Sequence, residues 1–160
     1  MNELKKLFSF IRYNKWEQFQ DSLPKIDINE PDEYLRTSVH IAAANEDSKY
    51  LSLILEKQGD PNKQDENLNT PLHFATESSR AENAKILIKF QALVNIQNIH
   101  GNPPLWAAVY DSGGFIETIK VLLEHGADPN IKNKTGKSSL DFAREIGFQQ
   151  VVELIEKYAN

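Results

Sequence analysis

A chain of 160 residues with 40% apolar and 26% charged side chains is long enough for one folded domain and has the composition of one. Its 18 Lys and Arg against 23 Asp and Glu leave a net charge of −5, which argues against a nucleic-acid backbone as partner, because that binding needs a basic face. The absence of cysteine excludes disulfides, thiolate zinc sites and cysteine nucleophiles.

The N-terminal stretch has a helical pattern. Leu4, Leu7, Phe8 and Ile11 share one face, and Lys5, Lys6, Ser9 and Arg12 the other. Leu7-Phe8-Ser9-Phe10-Ile11 is too short to be the core of a signal peptide, and no later run approaches the roughly 18 apolar residues of a membrane span. A soluble, cytoplasmic protein with no membrane partner is the expectation. Trp16, Phe19 and Leu23 predict a second short helix, so residues 1–31 form an apolar-faced cap for the rest of the chain.

From Asp32 the chain is periodic. Thr37-Ser38-Val39-His40-Ile41-Ala42 recurs 33 residues on as Thr70-Pro71-Leu72-His73-Phe74-Ala75, again after 33 as Pro103-Pro104-Leu105-Trp106-Ala107-Ala108, and after 35 as Ser138-Ser139-Leu140-Asp141-Phe142-Ala143. Asn29, Asn62, Asn95 and Asn130 keep the same spacings. In the clearest copy Thr70 caps a helix through its hydroxyl. Pro71 suits the first helical position, where its missing N–H is not needed. Leu72 faces the core, and Ala75 lets the neighbouring helix approach. The repeats are 32–64, 65–97 and 98–132, followed by a C-terminal cap over 133–160. Their second helices carry the apolar sets Tyr50, Leu51, Ile54 and Leu55; Ala84, Ile86, Leu87 and Ile88; and Ile119, Val121, Leu122 and Leu123. The last has Phe148, Val151, Val152, Leu154, Ile155 and Tyr158. The two extra residues of the third repeat fall in Asp111-Ser112-Gly113-Gly114-Phe115, a lengthened turn.

The T-P-L-H-x-A hexapeptide and Gly126-Ala127-Asp128-Pro129-Asn130, a G-A-D-x-N ending, resemble ankyrin repeats from about Leu4 onward. That resemblance implies an all-α repeat solenoid of helix-turn-helix units joined by short β-hairpin loops. It also implies a non-catalytic module that binds proteins through hairpin tips and the ends of the first helices, which together make a concave face. Carried onto this chain, the contact residues are Glu33, Tyr34, Leu35, Arg36 and Asn45; then Glu66, Asn67, Leu68, Asn69 and Glu77; then Ile99, His100, Asn102, Tyr110 and Asp111; and finally Lys134. Asp32, Glu33, Asp65 and Glu66 make the early tips acidic, which points to a basic protein partner with an apolar anchor. The sharper form is a small inhibitor, such as an immunity protein neutralising a toxin. The alternatives are an adaptor or an enzyme with an unrecognised site. The unbound chain is expected to be a monomer.

Some residues depart from the family pattern. Leu35 and Leu68 replace the tip glycine that Gly101 and Gly136 keep, so those turns either differ in shape or hold strain. Gln58 and Gln91 replace the glycine after the second helix, which predicts looser junctions. Pro103 removes a side-chain cap. Trp106 is expected to pack on Phe115, with Tyr110 facing the other way.

Chemical motifs are weak. His40 and His73 read as structural imidazoles bonding neighbouring turns, since Trp106 and Asp141 fill their slot elsewhere. His100 belongs on an exposed tip. Gly136-Lys137-Ser138 imitates a P-loop ending, but Ile131 stands where the motif needs Gly. Asp60-Pro61-Asn62-Lys63-Gln64-Asp65 fails as a calcium loop, with Pro71 in its twelfth position. No cofactor, metal or catalytic site is expected.

Overall fold

The computed structural model describes residues 3–110 and 116–158. Its helices form five consecutive pairs. The first pair is α1 (Glu3–Arg12) and α2 (Trp16–Ser22), followed by a short 3-10 turn at Leu23–Lys25. Then come α3 (Ser38–Ala43) with α4 (Lys49–Glu56), α5 (Pro71–Glu77) with α6 (Ala81–Lys89), α7 (Pro104–Tyr110) with α8 (Glu117–Glu124), and α9 (Ser139–Glu145) with α10 (Gln149–Tyr158). Each first helix packs on the next, in the order α1, α3, α5, α7, α9, and α4, α6, α8 and α10 form the second row. Ala42, Ala75, Ala108 and Ala143 occupy one repeat position and are all buried, and the small side chain lets the first helices of adjacent repeats come close.

The predicted apolar faces are buried. Leu4, Leu7, Phe8 and Ile11 of α1 lie inside, as do Tyr50, Leu51, Ile54 and Leu55 of α4 and Ile119, Val121, Leu122 and Leu123 of α8. In α6 only Ala84 and Leu87 of the expected set are buried, while Ile86 and Ile88 are half-buried against the core. Phe148, just ahead of α10, and Tyr158 at its end are exposed, and Val151, Val152 and Ile155 carry the packing.

Three first helices begin with capping boxes. His73 N–H meets the Thr70 hydroxyl, and His73 Nδ1 accepts the Thr70 N–H at 3.1 Å. Thr37 and His40 repeat this, with an N–H to Nδ1 distance of 3.0 Å. Because Nδ1 accepts, the proton sits on Nε2, which donates to the next repeat. His40 Nε2 meets the Asn69 carbonyl at 3.2 Å, and His73 Nε2 meets the Asn102 carbonyl at 3.0 Å. In the last repeat Asp141 replaces the imidazole: its Oδ2 accepts the Ser138 N–H at 2.8 Å, and its own N–H donates to Ser138 Oγ at 3.2 Å.

The hairpins are tight turns, and no strand occurs among the described residues. Two backbone bonds close each. The Asp32, Asp65, Asn98 and Asn133 N–H groups donate to the Arg36, Asn69, Asn102 and Lys137 carbonyls, all at 2.9 Å. The Leu35, Leu68, Gly101 and Gly136 N–H groups donate back to the Asp32, Asp65, Asn98 and Asn133 carbonyls at 3.0, 2.9, 2.8 and 2.9 Å. One more joins each adjacent pair of tips, from Glu66 N–H to the Tyr34 carbonyl, Ile99 N–H to Asn67 and Lys134 N–H to His100. The third tip residue is left-handed in every hairpin, with φ of +59° at Leu35, +60° at Leu68, +77° at Gly101 and +78° at Gly136. The two leucines therefore keep the turn shape and hold strain.

The recurring asparagines splint the junctions. Asn29 Oδ1 accepts from the Asp60 N–H at 2.8 Å while its Nδ2 donates to the Gln58 carbonyl at 3.0 Å. Asn62 does the same with Leu93 and Gln91, and Asn95 with Asp128 and Gly126. Gln58 and Gln91 adopt φ of +68° and +69°, so the first two junctions carry the same bonds as the glycine one and are not looser. The amide clamp satisfies a backbone carbonyl that the left-handed turn would otherwise leave open.

Candidate protein-binding face

The hairpin tips present a discontinuous apolar strip. Tyr34 is 46% exposed, Leu35 50%, Leu68 43% and Ile99 39%, and the inter-tip backbone bonds hold the tips side by side. Glu66, Asn67, His100 and Lys134 are exposed beside them.

The acidity of the tips is smaller than their composition suggests. Asp32 Oδ1 accepts the Tyr34 and Arg36 N–H groups, each at 2.9 Å, and Oδ2 accepts Arg36 Nε and Nη2 at 3.0 and 2.7 Å. Burial pushes its carboxyl up, but the Arg36 side chain and the turn N–H groups outweigh this and hold it below the usual range. Asp65 is buried and accepts the Asn67 and Asn69 N–H groups at 2.9 and 2.8 Å. Both carboxylates thus build turns, as Asn98 and Asn133 do at the later tips. Glu33 pairs with Lys5 at 3.1 Å. At the other end Lys132 pairs with Asp141 and Lys137 with Glu145, so two of the lysines around the last tip are internally matched.

Several other expected contact residues have side chains engaged within the fold. Asn45 Nδ2 donates to the Ile11 carbonyl at 2.7 Å, fixing the end of α1. Asn69 and Asn102 accept from Asn98 and Asn133 at 2.9 and 2.8 Å, bracing successive tips. Asp111 and Phe115 lie outside the described residues.

A recess opens in the third repeat, lined by Glu77, His100, Asn102, Trp106, Ala107 and Tyr110. Ala107 takes the helix position that Phe74 and Phe142 fill in the flanking repeats, and the small side chain leaves the space. Trp106 stacks on Phe142 with centroids 4.6 Å apart, and Tyr110 stacks on the same ring at 5.8 Å. Tyr110 therefore faces the same way as Trp106, four residues and about one turn earlier, and not away from it. It is 68% exposed. Phe142 was invisible as part of this face when each repeat was read alone. The signal was the exchange of Phe74, Ala107 and Phe142 at one repeat position. Among the described residues no group of three or more His, Asp or Glu side chains could hold a metal ion, and no helix is long and apolar enough to cross a membrane.

The family description "Ankyrin repeats (3 copies)" matches residues 11–98 and 39–133, most of the chain. The chain belongs to the ankyrin-repeat family. A 51-residue segment, 31% of this ankyrin-repeat chain, is 41% identical to the "Putative ankyrin repeat protein YahD" of Escherichia coli (strain K12) and spans 25% of it. A 45-residue segment, 28% of the chain, is 40% identical to the "Putative E3 ubiquitin-protein ligase XBAT34" of Arabidopsis thaliana and spans 12% of that protein. The chain thus matches only a quarter or less of either relative. Ankyrin repeats generally mediate protein–protein interaction and are typically non-catalytic.

Proposed function

We propose that this ankyrin-repeat protein binds a protein partner through its tip strip and the aromatic recess beside it. The observation that carries the reading is the pair of leucines at the tips. A non-glycine residue in the left-handed region costs roughly 1–2 kcal/mol. Leu35 and Leu68 accept that cost while about half of each side chain remains in water, and two other tips use glycine at the same place. A partner that buries both side chains accounts for strain and exposure together. Trp106, Tyr110 and Phe142 supply rigid aromatic area of the kind that anchors an interface.

The expected basic partner narrows to a local contact. Asp32 and Asp65 face inward, so Glu66 is the tip acid best placed to meet a cation. An inhibitor and an adaptor differ in what binding does: stoichiometric loss of the partner's own activity marks a toxin-neutralising inhibitor, and retained activity marks an adaptor. The test is partner capture from the source cells followed by binding kinetics with variants. Leu35→Gly with Leu68→Gly is expected to weaken binding while raising the melting temperature. Tyr110→Ala is expected to act mainly on the off-rate. Unchanged binding by the double glycine variant contradicts the proposal.

A further inference from the structure

A second groove lies towards the N-terminal end, across the first helices. Three of the chain's four arginines line it: Arg12 at the end of α1, Arg36 ahead of α3 and Arg80 ahead of α6. Ile41, Ala44 and Phe74 provide apolar lining. We infer that this groove docks an acidic segment of a partner protein, with an apolar side chain on the floor and a flanking carboxylate on the guanidinium groups. The inference rests on the protein-binding reading and adds the chemistry of one part of the partner.

The arginines are presented in different ways. Arg36 is clamped by Asp32 through two N–H groups, and its guanidinium lies 4.7 Å from the Tyr34 ring centroid, so its plane is fixed and its remaining N–H groups are unspent. Arg80 is held by the Ala44 carbonyl and Glu46, both at 3.2 Å. Arg12 is exposed and pairs with none of the described carboxylates. A guanidinium already held in place binds a carboxylate with little further loss of side-chain freedom. The groove's three cations face Glu46 and the Asp32 carboxylate behind Arg36, leaving it one positive charge in a chain whose net charge is −5. The fourth arginine, Arg144, pairs with Glu156 outside the groove. An extended polyphosphate fits poorly, because Glu33 and Glu66 stand exposed on the neighbouring tips.

The experiment titrates the isotope-labelled full chain with the peptide acetyl-Glu-Glu-Leu-Phe-Glu-Glu-amide, followed by NMR of backbone amides and arginine Nε–H groups. The same peptide with Gln or with Lys in place of Glu, and a single-stranded DNA oligonucleotide, serve as comparisons. The expected result is saturable shifts at Arg12, Arg36, Arg80 and Ala44. The Gln peptide should bind about tenfold more weakly, and Arg12→Gln should weaken the acidic peptide about five- to tenfold, with both differences shrinking at high salt. Arg12 makes no internal ion pair, so its variant should fold normally; Arg80→Lys, which keeps charge but loses the fork, should also weaken binding. Equal binding of the Gln or Lys peptide, tighter binding of the oligonucleotide, shifts confined to the tips and the aromatic recess, or no binding at all overturns the inference. Loss of partner binding on substitution of Leu35 and Leu68, with a silent groove, overturns this inference alone and leaves the protein-binding reading standing.

Discussion

His73 sits at the joint between two repeats with no exposed surface, its Nδ1 accepting from its own repeat and its Nε2 donating to the next. Burial lowers its pKa from 6.5 to about 4. Protonation would put an N–H at Nδ1 against the Thr70 N–H, which works in the same direction. A base whose folded pKa lies below its unfolded value adds stability that is fully present above about pH 6.5 and is lost as the pH falls through about 4. For His73 alone, unfolding free energy should drop by about 2 kcal/mol between about pH 7.5 and pH 5. His40 shifts in the same direction for the same reason. Denaturant titrations at the two pH values check this, and His73→Gln should flatten the dependence; an unchanged slope contradicts the assignment. The strained tip residues make a separate prediction. Leu35→Gly and Leu68→Gly should each stabilise the protein by about 0.5–1 kcal/mol, the relief of the left-handed side chain less the added freedom of the unfolded chain. A loss of stability on substitution would mean that the half-buried part of each leucine packs usefully.

At the scale of the element, the repeat marker Asn turns out to be a splint. Asn62 reaches the following junction with two bonds, whereas Asn130, in the last such position, makes no side-chain bond with a described residue. Asn62→Ala should therefore cost about 1–3 kcal/mol, and Asn130→Ala less than about 0.5 kcal/mol. Equal costs would show that the amide acts within its own repeat. Helices and their buried faces were legible in the sequence because apolar spacing reports directly on which side is buried. The turns were legible by position but not by the aim of their side chains. Asp32 and Asp65 count as charge in a sequence, while in the fold each carboxylate replaces the amide that Asn98 and Asn133 use to close the same turn. Asn83 was missed altogether: it lies buried in α6, and its Nδ2 donates to the Ala43 and Asn45 carbonyls at 2.9 and 2.7 Å, closing the end of α3. A lone polar residue inside an apolar helical pattern signals such a bond, but not which carbonyl receives it.

Across the whole molecule, stability comes from neighbour contacts along the stack. Leu72 is wholly buried between repeats, and Leu72→Ala should cost about 2–5 kcal/mol by opening a cavity there. A loss below about 0.5 kcal/mol would remove it from the core. The same stacking puts the tip strip, the aromatic recess and the arginine groove along the tips and first helices, leaving the second-helix row to the other side. Site-specific photo-cross-linking in the source cells asks directly which side a partner uses. A photoreactive phenylalanine analogue is placed singly at Tyr34, Leu68 and Tyr110, and in parallel at the exposed second-helix positions Glu56, Lys85 and Lys120. One protein adduct common to the first three positions and absent from the others is the result expected of a tip and first-helix docking surface. Adducts formed only from Glu56, Lys85 and Lys120 would contradict it.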